Sequence, residues 1–252
     1  MRKLRKRLGL QLSAEPRFGL LFLMLLLALA VPFFLPRGIL FQLTYQFLIS
    51  AVLLVGLASV SRGRRQLLIG TAIAVPAVTL NWLAHLVNHT LIVWSGALAV
   101  ILLLYLAALI LIYLGKAKRA NSNTIYGAVC VYMLLGFIWG LAFFLAEAID
   151  PHSLAEGGAP VYENIGGLLE VTSEAMYLSF VTLTTLGYGD VTPISGPSRA
   201  LAMLEAIIGQ LFLIISISRL VGLSVAQSIR EAETEAENAG PGRPRPPGQG
   251  GS

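Results

Sequence analysis

Thr184-Thr185-Leu186-Gly187-Tyr188-Gly189-Asp190 is a polar, glycine-rich run set between strongly apolar segments. Backbone N–H and C=O groups are costly at membrane depth unless protein encloses them or they line a water-filled path. On the N-terminal side, Val171 to Thr184 reads as a helix too short to span a bilayer. On the C-terminal side a long apolar block begins near Arg199. The run is therefore expected to turn a re-entrant segment back to the surface it entered from. Gly187 and Gly189 allow backbone angles closed to other residues, so successive carbonyls can face one axis. Thr185 can add a hydroxyl oxygen at the inner end.

The chain around this run has 252 residues, 56% of them hydrophobic and 12% charged. Soluble domains carry about 25% charged residues, so this composition points to a membrane protein. The apolar residues fall in blocks at about 18–36, 38–60, 66–87, 90–115, 126–148 and 199–226, each near the ~20 residues a spanning helix needs. The expected fold is an all-α membrane protein of six transmembrane helices plus a re-entrant pore helix and filter. Pro32 and Pro36 end the first helix, and Pro76 is expected to kink the third. A basic start, Met1-Arg2-Lys3-Leu4-Arg5-Lys6-Arg7, precedes an apolar run containing Ala28-Leu29-Ala30. That pattern imitates a signal peptide, but cleavage would upset the orientation below, so the first block is read as a retained helix. The single cysteine, Cys130, forms no disulfide within the chain and reads as a small buried apolar residue.

Lysine and arginine mark cytoplasmic connections. They cluster at the N-terminus, at Arg62, Arg64 and Arg65, at Lys116, Lys118 and Arg119, and in the tail at Arg230, Arg243 and Arg245. The other side has Arg37 and Arg199. Both termini are thus expected in the cytoplasm of a multi-pass protein of the cell membrane, with Gly187-Tyr188-Gly189-Asp190 at the outer face. The net charge of +5 serves orientation and does not suggest nucleic acid. The expected organisation is a basic N-terminus (1–17), a four-helix module (18–115), a pore domain (116–228) and a disordered tail (229–252). Within the pore domain the outer helix is placed at 126–148, the pore helix at 171–184, the filter at 185–190 and the inner helix at 199–228. The acidic stretch 231–237 can continue a helix briefly, and no soluble regulatory domain is expected in this chain. The fourth block has no Lys or Arg between Thr90 and Leu114. A voltage sensor needs intramembrane arginines, since each moved charge couples about 2.3 kcal/mol per 100 mV.

Thr172 or Ser173 can cap the pore helix, with Glu174 in its first turn, where acids are favoured. From Tyr177 to Pro193 the sequence resembles the potassium channel family. That resemblance covers roughly residues 126–228, whereas 1–115 match only by span count. It implies that Thr185, Leu186, Gly187, Tyr188 and Gly189 hold dehydrated K+ through backbone oxygens, as such filters do. The ion sites are placed at Thr185, Leu186, Gly187 and Tyr188. Asp190 takes the outer-mouth position, and Thr184 and Tyr177 support the filter. Leu186 stands where valine is commoner, and Val181 where some members carry glutamate behind the filter. The aromatic cuff holds Tyr177 and Phe180 and no tryptophan. One chain supplies one strip of oxygens, so a homotetramer in a lipid bilayer is implied. K+ is the permeant ligand, and no cofactor or enzyme activity is expected.

Gly209 falls at the spacing of the family's hinge glycine; helix bending and close packing are both open to it. Glu205, a carboxylate within the last helix, defaults to a functional reading. It can brace the pore helix, face the ion path, or sit partly hydrated near the surface. His85 and His89 have a spacing that can bind metal, but no carboxylate or cysteine accompanies them, so an interfacial polar helix end is the favoured reading. Asn88-His89-Thr90 matches a glycosylation acceptor, and Arg219 is expected to snorkel. The outer region holds Glu147, Asp150, Glu156, Glu163, Glu170, Glu174 and Asp190 against one base, Arg199. Repeated around a pore, those acids would concentrate cations. The leading expectation is passive K+ conduction. A weakly selective cation channel is the alternative, and a secondary transporter finds no inverted repeat to support it.

Overall fold

The computed structural model describes residues 18–35, 38–61, 63–87, 89–161 and 168–239. Expectations for the basic N-terminus, Pro36, Arg37, Arg62, Asn88, Glu163 and the end beyond 239 lie outside the described residues, as do the side chains of His85, His89 and Glu170.

Among the described residues seven α-helices run in chain order: α1 (Phe18–Ala30), α2 (Ile39–Val60), α3 (Arg64–Val87), α4 (His89–Lys116), α5 (Ser122–Ile149), α6 (Leu168–Leu183) and α7 (Gly196–Ala239). Five of them, α2 to α5 and α7, are long and apolar enough to cross a membrane. The protein is an all-α membrane protein with a small three-stranded sheet between α5 and α7. The first expected span differs. α1 has 13 residues, about 20 Å at 1.5 Å per residue, short of a ~30 Å hydrocarbon core. It passes into a 3-10 turn at Val31–Phe34, because Pro32 has no N–H to continue the α-helical ladder. Pro76 lies inside α3, where the Thr79 hydroxyl donates to the Val75 carbonyl at 2.8 Å.

In the front half, α1 to α4 pack through aliphatic side chains. Phe18, Leu21 and Leu25 of α1 meet Val52, Leu53 and Leu57 of α2 and Leu102, Leu106 and Ile110 of α4 in one buried cluster. Large apolar residues on the other faces, Phe47, Leu68, Trp94 and Leu104 among them, are exposed, as suits helices whose solvent is lipid.

α5 is the central helix. Its start is fixed by a reciprocal capping box: Asn121 accepts from the Thr124 N–H at 2.8 Å, and the Thr124 hydroxyl accepts from the Asn121 N–H at 2.9 Å. Such a box satisfies two otherwise orphaned donors. Further along, Leu134, Phe137 and Phe143 are fully buried. Two glycines let α6 approach closely. A Cβ on Gly136 would stand 2.5 Å from the Phe180 ring, and one on Gly140 would meet Met176. Phe137 packs edge-on against Phe180, with centroids 5.6 Å apart.

α6 begins at Leu168, before the expected start at Val171. Thr172 and Ser173 therefore lie inside the helix and do not cap it. Thr172 is buried and lines a cavity of about 50 Å³ with Tyr45, Gln46, Ser50 and Ser95 of the front half. Its hydroxyl position answers to packing, which local sequence does not display. α7 also exceeds expectation. It is a single helix of 44 residues, continuing through Glu231–Glu237 where a disordered tail is expected.

The sheet has the order β2-β1-β3, all antiparallel, with β1 (Leu154–Glu156), β2 (Ala159–Pro160) and β3 (Val191–Pro193). Gly157 and Gly158, both at positive φ, make the turn between β1 and β2 that glycine pairs favour. β3 directly follows the polar run, so the sheet ties that run to the end of α5.

Candidate functional site

The polar run joins α6 to α7 and is built as a sequence of alternating backbone hands. Thr185, Gly187 and Gly189 have φ of 61°, 60° and 80°, while Leu186 and Tyr188 between them stay on the negative side. In a strand of one hand, successive peptide groups point to opposite sides. Alternating hands turn them toward the same side. Glycine takes positive φ without penalty. Thr185 is β-branched, and a residue of that kind at positive φ is a true outlier, of the sort that concentrates at functional sites.

Bonds beneath the run hold it to the end of α6. The Val181 carbonyl accepts from the Leu186 N–H at 2.9 Å and the Gly187 N–H at 3.4 Å, and the Thr182 carbonyl accepts from the Thr185 N–H at 3.0 Å. The Thr184 hydroxyl donates back to the Phe180 carbonyl at 2.6 Å, and the Thr185 hydroxyl donates to the Thr184 carbonyl at 2.6 Å. From α5, the Tyr132 hydroxyl reaches across to donate to the Leu183 carbonyl at 3.0 Å.

At the outer end, Tyr177 donates its hydroxyl to Asp190 Oδ2 at 2.7 Å, and the Val191 N–H donates to Oδ1 at 3.0 Å. The bond from Tyr177 holds the Asp190 carboxyl below its usual range, and the same bond pushes the Tyr177 phenol up to about 12. Above them the Gly157 N–H donates to the Asp190 carbonyl at 3.0 Å. Glu147, fully buried at the end of α5, accepts from the His152 and Leu154 N–H groups at 3.2 and 2.7 Å. The Ser153 carbonyl accepts from the Ile194 N–H at 2.9 Å and from the Ser198 hydroxyl at 2.8 Å. Thus the exit of the run, the end of α5 and the start of α7 share one hydrogen-bonded knot. Gly157-Gly158 was its legible signal in the sequence, and the roles of Glu147, Ser153 and Ser198 had none.

Behind the run, Glu205 on α7 is fully buried and sits 2.5 Å from the Ser179 hydroxyl of α6. Gly209, one turn on, is also buried, and a Cβ there would come within 2.5 Å of Leu183 Cδ1. α7 runs through it without a break. Arg219, exposed, donates to the Gly115 carbonyl at the end of α4 at 2.6 Å. Cys130 is buried with its Sγ 3.5 Å from the Phe18 carbonyl. No cluster of three or more metal-ligating side chains occurs among the described residues.

Residues 157–224 match a family model described as ion channel. This segment is similar to ion-channel domains. It takes in α6, the polar run, β3 and most of α7, and the family is one of channels and not of enzymes. Two curated relatives are both called Protein LctB. The one from Geobacillus stearothermophilus is 33% identical over 89 residues, which is 35% of this chain and 62% of that protein. The one from Bacillus caldotenax is 28% identical over 128 residues, which is 50% of this chain and 91% of that protein. The chain thus spans somewhat under two thirds of the first relative's length.

Proposed function

We propose that the chain is one subunit of a homotetrameric, potassium-selective channel that passes K+ passively down its gradient. The observation that carries this reading is the alternating φ from Thr185 to Gly189, which suits a strip of carbonyls directed to one side. Four such strips around an axis supply the cage of oxygens that replaces the hydration shell of K+, with Thr185, Leu186, Gly187 and Tyr188 as its rungs and Asp190 at the outer mouth. Two further features support it. Residues 184–190 are exposed in the single chain, as a surface meant for an axis shared with other copies would be. Met203, Ile207, Ile214 and Ile217 of α7 are exposed as well, so the inner helix has apolar faces left for neighbours. In this reading α1 together with the 3-10 turn that extends it makes the first of six crossings, both termini lie in the cytoplasm, and K+ is cargo with no resident cofactor.

The test is a bi-ionic recording from purified protein in planar bilayers, with K+ on one side and Na+ on the other, and subunit counting by mass in detergent. A reversal potential strongly on the K+ side and a fourfold mass are expected. A potential near zero would replace the reading with a weakly selective cation channel, and a monomer that conducts would remove the shared-axis filter.

A further inference from the structure

Glu205 is the one carboxylate whose surroundings the conduction reading leaves unexplained. Its side chain is fully buried where α7 meets α6 and α5. One oxygen, Oε1, lies 2.5 Å from Ser179 Oγ. Ser179 Oγ in turn lies 2.8 Å from the Gly136 carbonyl oxygen of α5. The other carboxylate oxygen, Oε2, is buried with no hydrogen-bond partner among the described residues.

A proton count separates the two forms of this chain of contacts. A serine hydroxyl has one proton to give. If Glu205 is ionised, Ser179 faces two acceptors, the carboxylate and the Gly136 carbonyl, and one of the two short contacts holds no proton. If Glu205 is a carboxylic acid, its own O–H donates to Ser179 Oγ, Ser179 donates to Gly136, and each contact holds one proton. Charge counts the same way. Neither α5 nor α6 contains a lysine, arginine or histidine. Their titratable groups are Tyr126, Cys130, Tyr132 and Glu147 on α5 and Glu170, Glu174 and Tyr177 on α6, none of them a cation at neutral pH. Tyr132 gives its proton to the Leu183 carbonyl. A bare buried carboxylate with an orphaned oxygen and no cation is far more costly than a neutral acid.

We infer that Glu205 carries its proton at neutral pH and, through Ser179, joins the inner helix, the pore helix and the outer helix, so that loss of this one proton breaks the Ser179–Gly136 link between the pore helix and α5. Glu205 is a positioning residue: buried between helices, it acts through Ser179 on the helix that carries the polar run. Removing its proton turns the Ser179 hydroxyl toward the new charge and strips the Gly136 link, where a Cβ on Gly136 would stand 2.5 Å from the Phe180 ring. For the effect on flux, the inference rests on the conduction reading above. Its infrared signature does not.

The experiment uses the full chain in vesicles of phosphatidylcholine and phosphatidylglycerol. Difference infrared spectra between wild type and Glu205→Gln at neutral pH are expected to show the carbonyl stretch of a protonated acid in wild type only. K+ flux is read across pH in both proteins. Wild-type flux should fall reversibly at alkaline pH. Glu205→Gln, whose amide can still donate to Ser179, should match wild type at neutral pH and lose the alkaline fall. Glu205→Ala should lower thermal stability, and Glu205→Gln should restore it. Absence of the acid band at neutral pH would overturn the inference, and so would an alkaline fall that persists in Glu205→Gln. If the acid band is present while the conducted ion is not K+, the channel reading fails and the protonated link stands.

Discussion

The front half of this protein and the half from α5 onward are held together by different means. α1 to α4 meet through leucine, alanine and phenylalanine side chains, with side-chain hydrogen bonds between helices such as Trp82 to Ser50 at 3.3 Å and Tyr105 to the Gln66 carbonyl at 3.0 Å among the described residues. From α5 onward, buried polar groups cross between elements repeatedly: Tyr132 to Leu183, Ser179 to Gly136 and Glu205, Glu147 to the loop beyond α5, Ser198 to Ser153. Aliphatic packing tolerates small sliding and volume-conserving change, whereas a satisfied polar network fixes one arrangement and is costly to break. The half that matches ion channels is the half in which atoms are pinned in place.

The sharpest way to break this contrast is at the polar run. Gly187→Ala forces an L-residue to φ near 60°, a conformation that costs roughly 1–2 kcal/mol in every copy of the strip. The expected result is loss of K+ over Na+ preference in bi-ionic reversal measurements, and unchanged preference would mean the run does not select.

Next come the helix contacts from α5 onward. Gly136→Ala drives a methyl into the Phe180 ring, and Gly140→Ala meets both the side chain and the backbone of Met176. Each should destabilise by about 1–3 kcal/mol, as overpacking does, read as a lower melting temperature in detergent. The front-half control is Gly56→Ala, whose new methyl meets the flexible end of Leu106 at 2.7 Å. A drop as large as that of Gly136→Ala would erase the contrast.

A smaller effect is expected from Tyr177→Phe, which removes the bond that depresses the Asp190 carboxyl. A carboxyl depressed on folding contributes its stabilisation above its ordinary range and loses it as pH falls through the folded value. The variant should therefore begin to lose steady flux at a higher pH than wild type on acidification, with neutral-pH selectivity retained. Smallest of all, Trp82→Phe deletes one partly exposed bond of the front half, worth about 0.5–1.5 kcal/mol, and should leave conduction and selectivity unaltered in the same recordings.

The sequence discloses these two halves unequally, for physical reasons. Helix positions follow from apolar runs of bilayer length, so α2 to α5 and α7 were legible, and the polar run announced itself because glycine at alternate positions has few other uses there. The start of α6 misled: Thr172-Ser173-Glu174 imitates a capping pattern, yet Thr172 is turned inward to the cavity beside Tyr45 and Ser50, a choice made by a distant part of the chain. The end of α7 misled in the same manner, because charge alone does not decide between helix and coil when alanine and glutamate alternate. The brief extension allowed for 231–237 proved the better guide. Pairings across distance, such as Ser179 with Glu205, leave no mark in spacing at all; a buried carboxylate in an apolar helix signals only that some partner exists.

One modest feature sets how the two halves can speak to each other. Lys116 ends α4 and Ser122 begins α5, so the tether between them can extend no more than about 20 Å, and Arg219 grips the Gly115 carbonyl from the far side. A tilt of α4 therefore bears on the Asn121 cap through that tether and on α7 through the Arg219 bond. Movement of α4 thus reaches the start of α5 directly along the chain and the middle of α7 through a single guanidinium.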